Sequence, residues 1–414
     1  MSTYHKPTRQ FNIYAMPKTF RSSEKICHKK EAGNSLTYNE KSQRFTLDPW
    51  SSDLKVEDYE RLCQEFGIKP LKPLLPMIEN PPHFLRRGII FGHRDLELIL
   101  EAAKKNEPFA VMSGIKPTGD FHLGTLLTMR EIIYFQKAGG LAVYCIADIE
   151  AYEDNNIPFD ESRQIAIGNI ADALALGLDP KRAYIYRQSK ERRVKDLAYL
   201  FGRGITLSTI TAIYGERHLG LYMSALIQVA DILLPQLKDL GGPKPTVVPV
   251  GIDQDPHIRF ARDVAHRFHE KLGFIPPSST YHRIMRGLDG SPKMSKRNPM
   301  SYFTLNEDLE SIKWKLMNAY TGGRATAKEQ RELGGIPEQC CIYELCVFYF
   351  VEDDKELLDM YMKCRRGEVL CGDCKIKVVE KVIKFIEEHQ RRRNRFIDTA
   401  RSLIEEEDQK PSYL

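Results

Sequence analysis

The sequence lacks any run of the ~18 apolar residues that a membrane-spanning helix needs. No apolar stretch follows its basic N-terminus, so a secretory signal is not expected either. A strong charge of one sign is also missing. Lys and Arg number 61 against 56 Asp and Glu, a net +5 over 414 residues. That excludes a wholesale cationic coat for nucleic acid but not a local basic patch. No repeat with a period of roughly 20–50 residues is present, which excludes solenoids and propellers. Without an export signal a disulfide framework is not expected, and the nine cysteines are an odd number. These absences point to a cytoplasmic protein with no membrane partner. What is present, 42% hydrophobic and 28% charged residues, fits a soluble chain of two or three domains. Six of the nine cysteines lie between Cys340 and Cys374, a crowding that unrelated free thiols do not explain.

Residues 1–45 hold nine Lys/Arg and three Asp/Glu and show no period of 2 or 3.6, so 1–44 reads as a basic, disordered arm. From 45 to 105 the pattern tightens into an N-terminal extension. Phe45–Trp50 reads as a short apolar strand or hairpin. Val56–Phe66 and Asp95–Ala103 have helical spacing, with Pro70, Pro73, Pro76, Pro81 and Pro82 between them. Residues 106–302 alternate strand and helix. The strands are Phe109–Ser113, Leu141–Ala147, Tyr184–Tyr186 and Thr246–Val250. The helices are Gly124–Lys137, Ser162–Leu176 and one from about Pro256. This alternation predicts an α/β fold, a parallel sheet covered by helices, with ligands beyond the C-terminal ends of the strands. Residues 303–414 read as helical, with Ile376, Val379, Ile383 and Ile386 forming one apolar stripe.

Two segments carry chemistry. Lys116-Pro117-Thr118-Gly119-Asp120-Phe121-His122-Leu123-Gly124 follows a strand and opens a helix. Glycines there let backbone approach a nucleotide, a helix N-terminus favours phosphate, and His122 can donate to a phosphoryl oxygen. Lys293-Met294-Ser295-Lys296-Arg297 sets three cations on a Gly-rich loop, suited to a polyphosphate leaving group. Either segment alone is more often an ordinary turn. Cys341, Cys364, Cys371 and Cys374 are spaced C-x22-C-x6-C-x2-C. Four thiolates suit Zn²⁺ or a [4Fe–4S] cluster, and spacing alone does not choose between them. Cys340 stands one residue out of register, and Cys346 reads as core.

Taken together, the two segments resemble the paired signatures of class I aminoacyl-tRNA synthetases, with Thr125 and Arg297 departing from the usual final residues. Pro249-Val250-Gly251-Ile252-Asp253-Gln254-Asp255-Pro256-His257 resembles the ribose-binding loop of the tryptophanyl-tRNA synthetases, and Leu226–Leu233 is similar to their pocket helix. Pro82–Gly88 and Phe45–Trp50 look like the N-terminal extension of the archaeal and eukaryotic branch. Thr321–Arg324 and Glu388–Arg393 resemble anticodon-domain segments.

The resemblance implies a Rossmann-like catalytic domain with connective dimerisation helices at about 156–230, then a helical anticodon-binding domain. It implies a homodimer that joins L-tryptophan to tRNA(Trp) through an adenylate made from ATP with Mg²⁺. His122, Lys293 and Lys296 would be catalytic. Lys116, Thr118, Gly119, Gly124, Gly251, Asp253, Met294 and Ser295 would complete the ATP site. In the amino-acid pocket Met112 and Cys145 stand where the eukaryotic-type branch reads the indole N–H, so Asp231 is expected to take that role. Glu150 and Gln228 are assigned to the substrate ammonium, with Gln254 nearby. The four cysteines are similar to a cluster motif of some tryptophanyl-tRNA synthetases whose ligand is [4Fe–4S], with zinc as the lesser alternative. Two other readings stay open, a tyrosyl-tRNA synthetase and a non-catalytic paralogue that binds RNA.

Overall fold

The computed structural model describes residues 59–409. The basic arm, the Phe45–Trp50 segment, Cys27 and the start of the Val56–Phe66 helix lie outside the described residues. Seven strands form one sheet: β1 (Lys69–Pro70), β2 (Ile90–Arg94), β3 (Ala110–Ile115), β4 (Leu141–Ile146), β5 (Ala183–Arg187), β6 (Thr246–Gly251) and β7 (Ser278–His282). Their order is β1-β2-β7-β6-β3-β4-β5. The five strands from β7 to β5 are parallel, as the alternation predicts. β2 and β1 join antiparallel at the β7 edge, so the sheet is mixed. The Pro-rich composition of 69–94 obscured these two strands.

β3 runs to β4 and β5 on one side, and the chain then returns to place β6 on its other side. That reversal opens a crevice beyond the C-terminal ends of β3 and β6. Buried strand residues explain the core: Val111, Met112, Ala142, Val143, Val247 and Val248 are all sealed from water. Helix Phe159–Leu176 ends at Gly177, whose φ of 111° is the left-handed cap that glycine adopts without strain.

The helix at Leu219–Leu233 and the turn after it form the one described segment long and apolar enough to cross a membrane, and most of it is buried inside the protein. Its residues are apolar all round because the helix packs in the core, against 192–202 and 255–267.

After residue 303 the chain is helical, ending in one 38-residue helix, Cys371–Asp408. Its buried face is Val378, Val379, Val382, Ile386 and His389. Ile376, placed on that stripe by spacing, is instead half exposed. This helix is fastened to the catalytic domain. His389 Nε2 meets Asp172 Oδ1 at 2.8 Å, and Arg393 Nε meets the same oxygen at 3.0 Å. Glu407 and Asp408 ion-pair with Arg187. The N-terminal extension adds a second tie. Arg87, almost wholly buried, donates to the carbonyls of Val347 and Val351 at 2.8 and 2.6 Å and pairs with Asp354 at 2.7 Å.

Candidate active site

The crevice holds a cleft of about 440 Å³. A second recess of about 190 Å³ adjoins it and shares His122, Gly251, Asp253 and Lys296. Every residue assigned from the two signatures, the 249–257 loop and the 226–233 helix lines one or the other. Lys293, Met294 and Ser295 line the smaller recess.

His122 caps helix Leu123–Lys137, and its Nδ1 accepts from the Gly124 N–H at 3.1 Å. A side chain at position 124 would come within 3.1 Å of that ring, so it would press on the imidazole. Burial, and then the charge of Lys296, lower the His122 pKa to about 4. The ring is therefore neutral at pH 7. With Nδ1 accepting, its proton sits on Nε2, 3.5 Å from Thr125 Oγ1. The residue that departs from the signature thus stands beside the donating nitrogen.

The two signatures touch. Lys296 Nζ donates to Thr118 Oγ1 at 2.6 Å across 178 residues of sequence. Loss of water, then the nearby charge of Lys116, lower the Lys296 pKa. The loop that carries Lys296 is braced at its base. Asp289 accepts from Ser291 Oγ and Asn298 Nδ2, both at 2.6 Å, and Ser301 Oγ accepts from the Ser295 N–H at 2.9 Å. Arg297 is exposed and leaves the lysines in place.

Lys116 is more tightly engaged than its sequence suggested. It pairs with Glu150 at 3.3 Å and with Asp154. Burial acts to lower its pKa, but the two carboxylates outweigh that and raise it. Glu150 therefore faces a protein ammonium in this structure.

At the far end of the cleft lies Asp231, only 2% exposed. Tyr186 Oη donates to its Oδ1 at 2.7 Å, and Gln188 Nε2 donates to its Oδ2 at 2.6 Å. Burial raises the Asp231 pKa to about 7, against the pull of those two donors. Met112 and Cys145, on β3 and β4, wall the same end. Sequence reasoning missed Gln188, His257 and His282, which also line the cleft. His257 is buried and hydrogen-bonded to Tyr214 Oη at 2.8 Å. Position in the 249–257 segment was a usable signal for His257. Gln188 follows β5 directly, so its place at a strand's C-terminal end was the signal there.

The cysteines are arranged differently from their spacing. Cys340, Cys364, Cys371 and Cys374 line one small recess, and Cys341 is not among them. Cys341 Sγ instead donates to the Gly287 carbonyl at 3.1 Å, at the base of the second-signature loop. The physical reason is local. Cys340 is the N-cap of helix Cys341–Leu345, and backbone N–H groups of Gly322, Ile342 and Tyr343 point at its sulfur. The first helical residue, Cys341, then faces the opposite way. A side chain at Gly323 would come within 2.6 Å of Cys371 Sγ, and one at Gly335 within 2.7 Å of Cys364 Sγ. Bare backbone therefore lies against two of the thiols. Among the described residues no group of three or more His, Cys, Asp or Glu side chains converges closely enough to hold a single metal ion. Cys346 is core, as read. Of the arginines at 391–395, Arg391 and Arg392 pair with Glu388, while Arg393 packs at the Asp172 contact.

Residues 104–387 match the family model of the class I tRNA synthetases for W and Y. The chain is 46% identical over 370 residues to a tryptophan–tRNA ligase of Hyperthermus butylicus, covering 87% of this chain and 98% of that one. It is 43% identical over 365 residues to the corresponding ligase of Methanocaldococcus jannaschii, with the same coverage. Its structure is similar to that of tryptophanyl-tRNA synthetase from the archaeon Aeropyrum pernix, with a TM-score of 0.81 and 43% identity over 86% of this chain and 98% of that one. A tryptophan-bound synthetase from Encephalitozoon cuniculi matches with a TM-score of 0.74 at 27% identity, covering 84% and 98%.

Proposed function

The chain belongs to the class I tRNA synthetases of the tryptophan and tyrosine branch, and from that membership we propose that it is a tryptophan–tRNA ligase. It activates L-tryptophan with ATP to tryptophanyl-adenylate and pyrophosphate, then transfers the amino acid to tRNA(Trp). The observation that carries the reading is the 2.6 Å contact between Lys296 and Thr118, which closes the two signatures over one cleft.

ATP enters as its Mg²⁺ complex, with Gly124 under the base and Asp253 accepting from ribose hydroxyls. The tryptophan carboxylate attacks the α-phosphorus, and the bond to the pyrophosphate oxygen breaks. The neutral His122 donates its Nε2 proton in a hydrogen bond to a non-bridging α-oxygen, while Lys293 and Lys296 oppose charge on the departing pyrophosphate. An incoming α-ammonium competes with Lys116 for Glu150 and frees Lys116 for the substrate carboxylate or ATP, with Gln228 and Gln254 alongside. The indole N–H goes to Asp231. In the second half-reaction a tRNA hydroxyl attacks the acyl carbon and AMP leaves. No covalent enzyme intermediate forms, so the residues act by position and charge.

The recess cysteines could supply four thiolates on a glycine cradle, a donor set that fits a [4Fe–4S] cluster or zinc, and the resemblance of the cysteine motif favours the cluster. Cys340, Cys364, Cys371 and Cys374 would hold it, Cys340 replacing the Cys341 of the spacing motif. A bound cluster would cross-link three segments of the helical domain. Exposed Tyr199, Leu207 and Leu219, within the helices expected to dimerise, support a homodimer. Cys145, Cys340, Cys341, Cys346, Cys364, Cys371 and Cys374 form no disulfide, which suits a reducing cytoplasm.

Amino-acid-dependent ATP–pyrophosphate exchange with tryptophan against tyrosine tests the function. Preference for tryptophan is expected. Preference for tyrosine would overturn the specificity, and no exchange with any amino acid would favour a non-catalytic RNA-binding role.

A further inference from the structure

Asp231 lies on helix Leu219–Leu233 with its carboxylate fully enclosed. A carboxylate in such a place keeps its charge only with donors against it. Two are supplied from β5 and the residues just after it. Tyr186 Oη donates to Oδ1 at 2.7 Å and Gln188 Nε2 to Oδ2 at 2.6 Å. The Gln188 amide has one possible orientation, because its Oε1 accepts from the Glu150 N–H at 3.2 Å. Its NH₂ end must therefore face Asp231.

Resting on the reading of Asp231 as the indole acceptor, we propose that Tyr186 and Gln188 are the positioning and specificity-determining residues of the amino-acid pocket: by directing their donors at Asp231 they orient its carboxyl and favour its ionised, accepting form. A carboxylate offers about four lone-pair sites; Tyr186 and Gln188 take one on each oxygen, and the Cys145 thiol also hydrogen-bonds to the group. The remaining capacity fits a ring with a lone N–H donor, which needs nothing in return. A phenol donates equally well, but its oxygen is also an acceptor. The single Tyr186 proton is committed to Asp231 and is not available to the phenol oxygen, which adds a desolvation cost that the indole does not carry. Met112, where a hydroxyl-bearing side chain could have served the phenol, offers no proton. Discrimination between indole and phenol thus comes from the partners of the reader as much as from Asp231 itself.

The groups facing Asp231 are Tyr186 on β5, Cys145 on β4, Gln188 after β5 and Glu150 on the helix after β4. Burial holds the Asp231 pKa up at about 7, and the Tyr186 hydrogen bond restrains that rise. Removing the hydroxyl lets the pKa climb further, so tryptophan binding weakens at a higher pH.

The test is Tyr186→Phe, which keeps the buried ring, measured by ATP–pyrophosphate exchange from pH 6 to 9. The wild type is measured first with tryptophan and tyrosine. A wild-type preference for tyrosine sinks the tryptophan reading itself. Given a preference for tryptophan, Tyr186→Phe is expected to raise KM for tryptophan about tenfold, the equivalent of one lost bond to a charged group. Turnover should stay within about twofold, since the reacting carboxylate is remote from Asp231. The acid limb of the kcat/KM profile should move to higher pH, and the preference over tyrosine should shrink. Gln188→Met should produce the same acid-limb shift. An unaltered KM, pH profile and amino-acid preference in Tyr186→Phe would overturn the proposal while leaving the function standing. A loss of turnover at unchanged KM would also overturn it, by assigning Tyr186 to chemistry or to scaffold.

Discussion

Lys296→Ala removes the charge that the structure sets against the first signature. Its ammonium lies 2.6 Å from Thr118 Oγ1, on the turn that ends in His122, so it stands at the phosphate side of the cleft. A unit charge about 4 Å from developing negative charge, at an effective dielectric of about 20, is worth roughly 4 kcal/mol. At about 1.4 kcal/mol per decade that is close to a thousandfold in rate. Lys293 and the Mg²⁺ that accompanies ATP share the same charge, so a loss of roughly a hundred- to a thousandfold in turnover is expected. Tryptophan affinity should hardly change, because Asp231, Met112 and Cys145 are at the other end of the cleft. The assay is ATP–pyrophosphate exchange for turnover, with equilibrium dialysis of labelled tryptophan for affinity. Thr118→Val separates charge from loop docking: it keeps the ammonium and loses only the tether, and should cost no more than about tenfold. An unchanged turnover in Lys296→Ala would refute the reasoning. Equal losses in the two variants would instead make Lys296 a clasp for the loop.

Two further outcomes follow from the same structure. Anaerobically purified protein should contain iron and sulfide. Cys340→Ser should lose them and Cys341→Ser should keep them; the reverse pattern would restore the register of the sequence motif, and metal-free wild-type protein would remove the cluster. Stability should fall as pH drops from about 6.5 towards 4. His83 and His122 are held near 4 and His257 near 3 by burial, so over that range the unfolded chain binds three protons that the folded one refuses. Asp231, raised to about 7, binds one proton in the folded state only and offsets part of this. Burial likewise raises the Asp148 and Glu407 carboxyls, which adds to the offset, and lowers His93, which adds to the loss; each imidazole left uncompensated costs up to about 1.4 kcal/mol per pH unit. Urea unfolding at pH 7 and pH 5 measures it, and equal midpoints would contradict the burial of these rings.

Much of the catalytic domain was legible in the sequence because its signals are local. A strand of Val and Ile, a Gly/Pro turn and an amphipathic helix each declare themselves within about ten residues, and β3 to β6 appear within one or two positions of their expected ends. β1, β2 and β7 did not declare themselves. They are short, carry prolines or polar residues, and gain their place from pairing with distant strands.

The sequence by itself determined which residue types the expected chemistry could use. Composition excluded an all-over basic surface, and His122, Lys293, Lys296, Asp253 and Asp231 could be named from two signatures, a loop and a helix; that the apolar segment Leu219–Gln236 is a core helix was left to the tertiary structure. Tertiary structure decided which groups meet. It alone brought Lys296 to Thr118, set Tyr186 and Gln188 on Asp231, occupied Glu150 with Lys116, and turned Cys340 rather than Cys341 toward the other three thiols. The reason is the same in each case. Residue type fixes what a side chain can donate, accept or ionise, whereas direction depends on a helix cap or a strand end set by contacts far away in the chain.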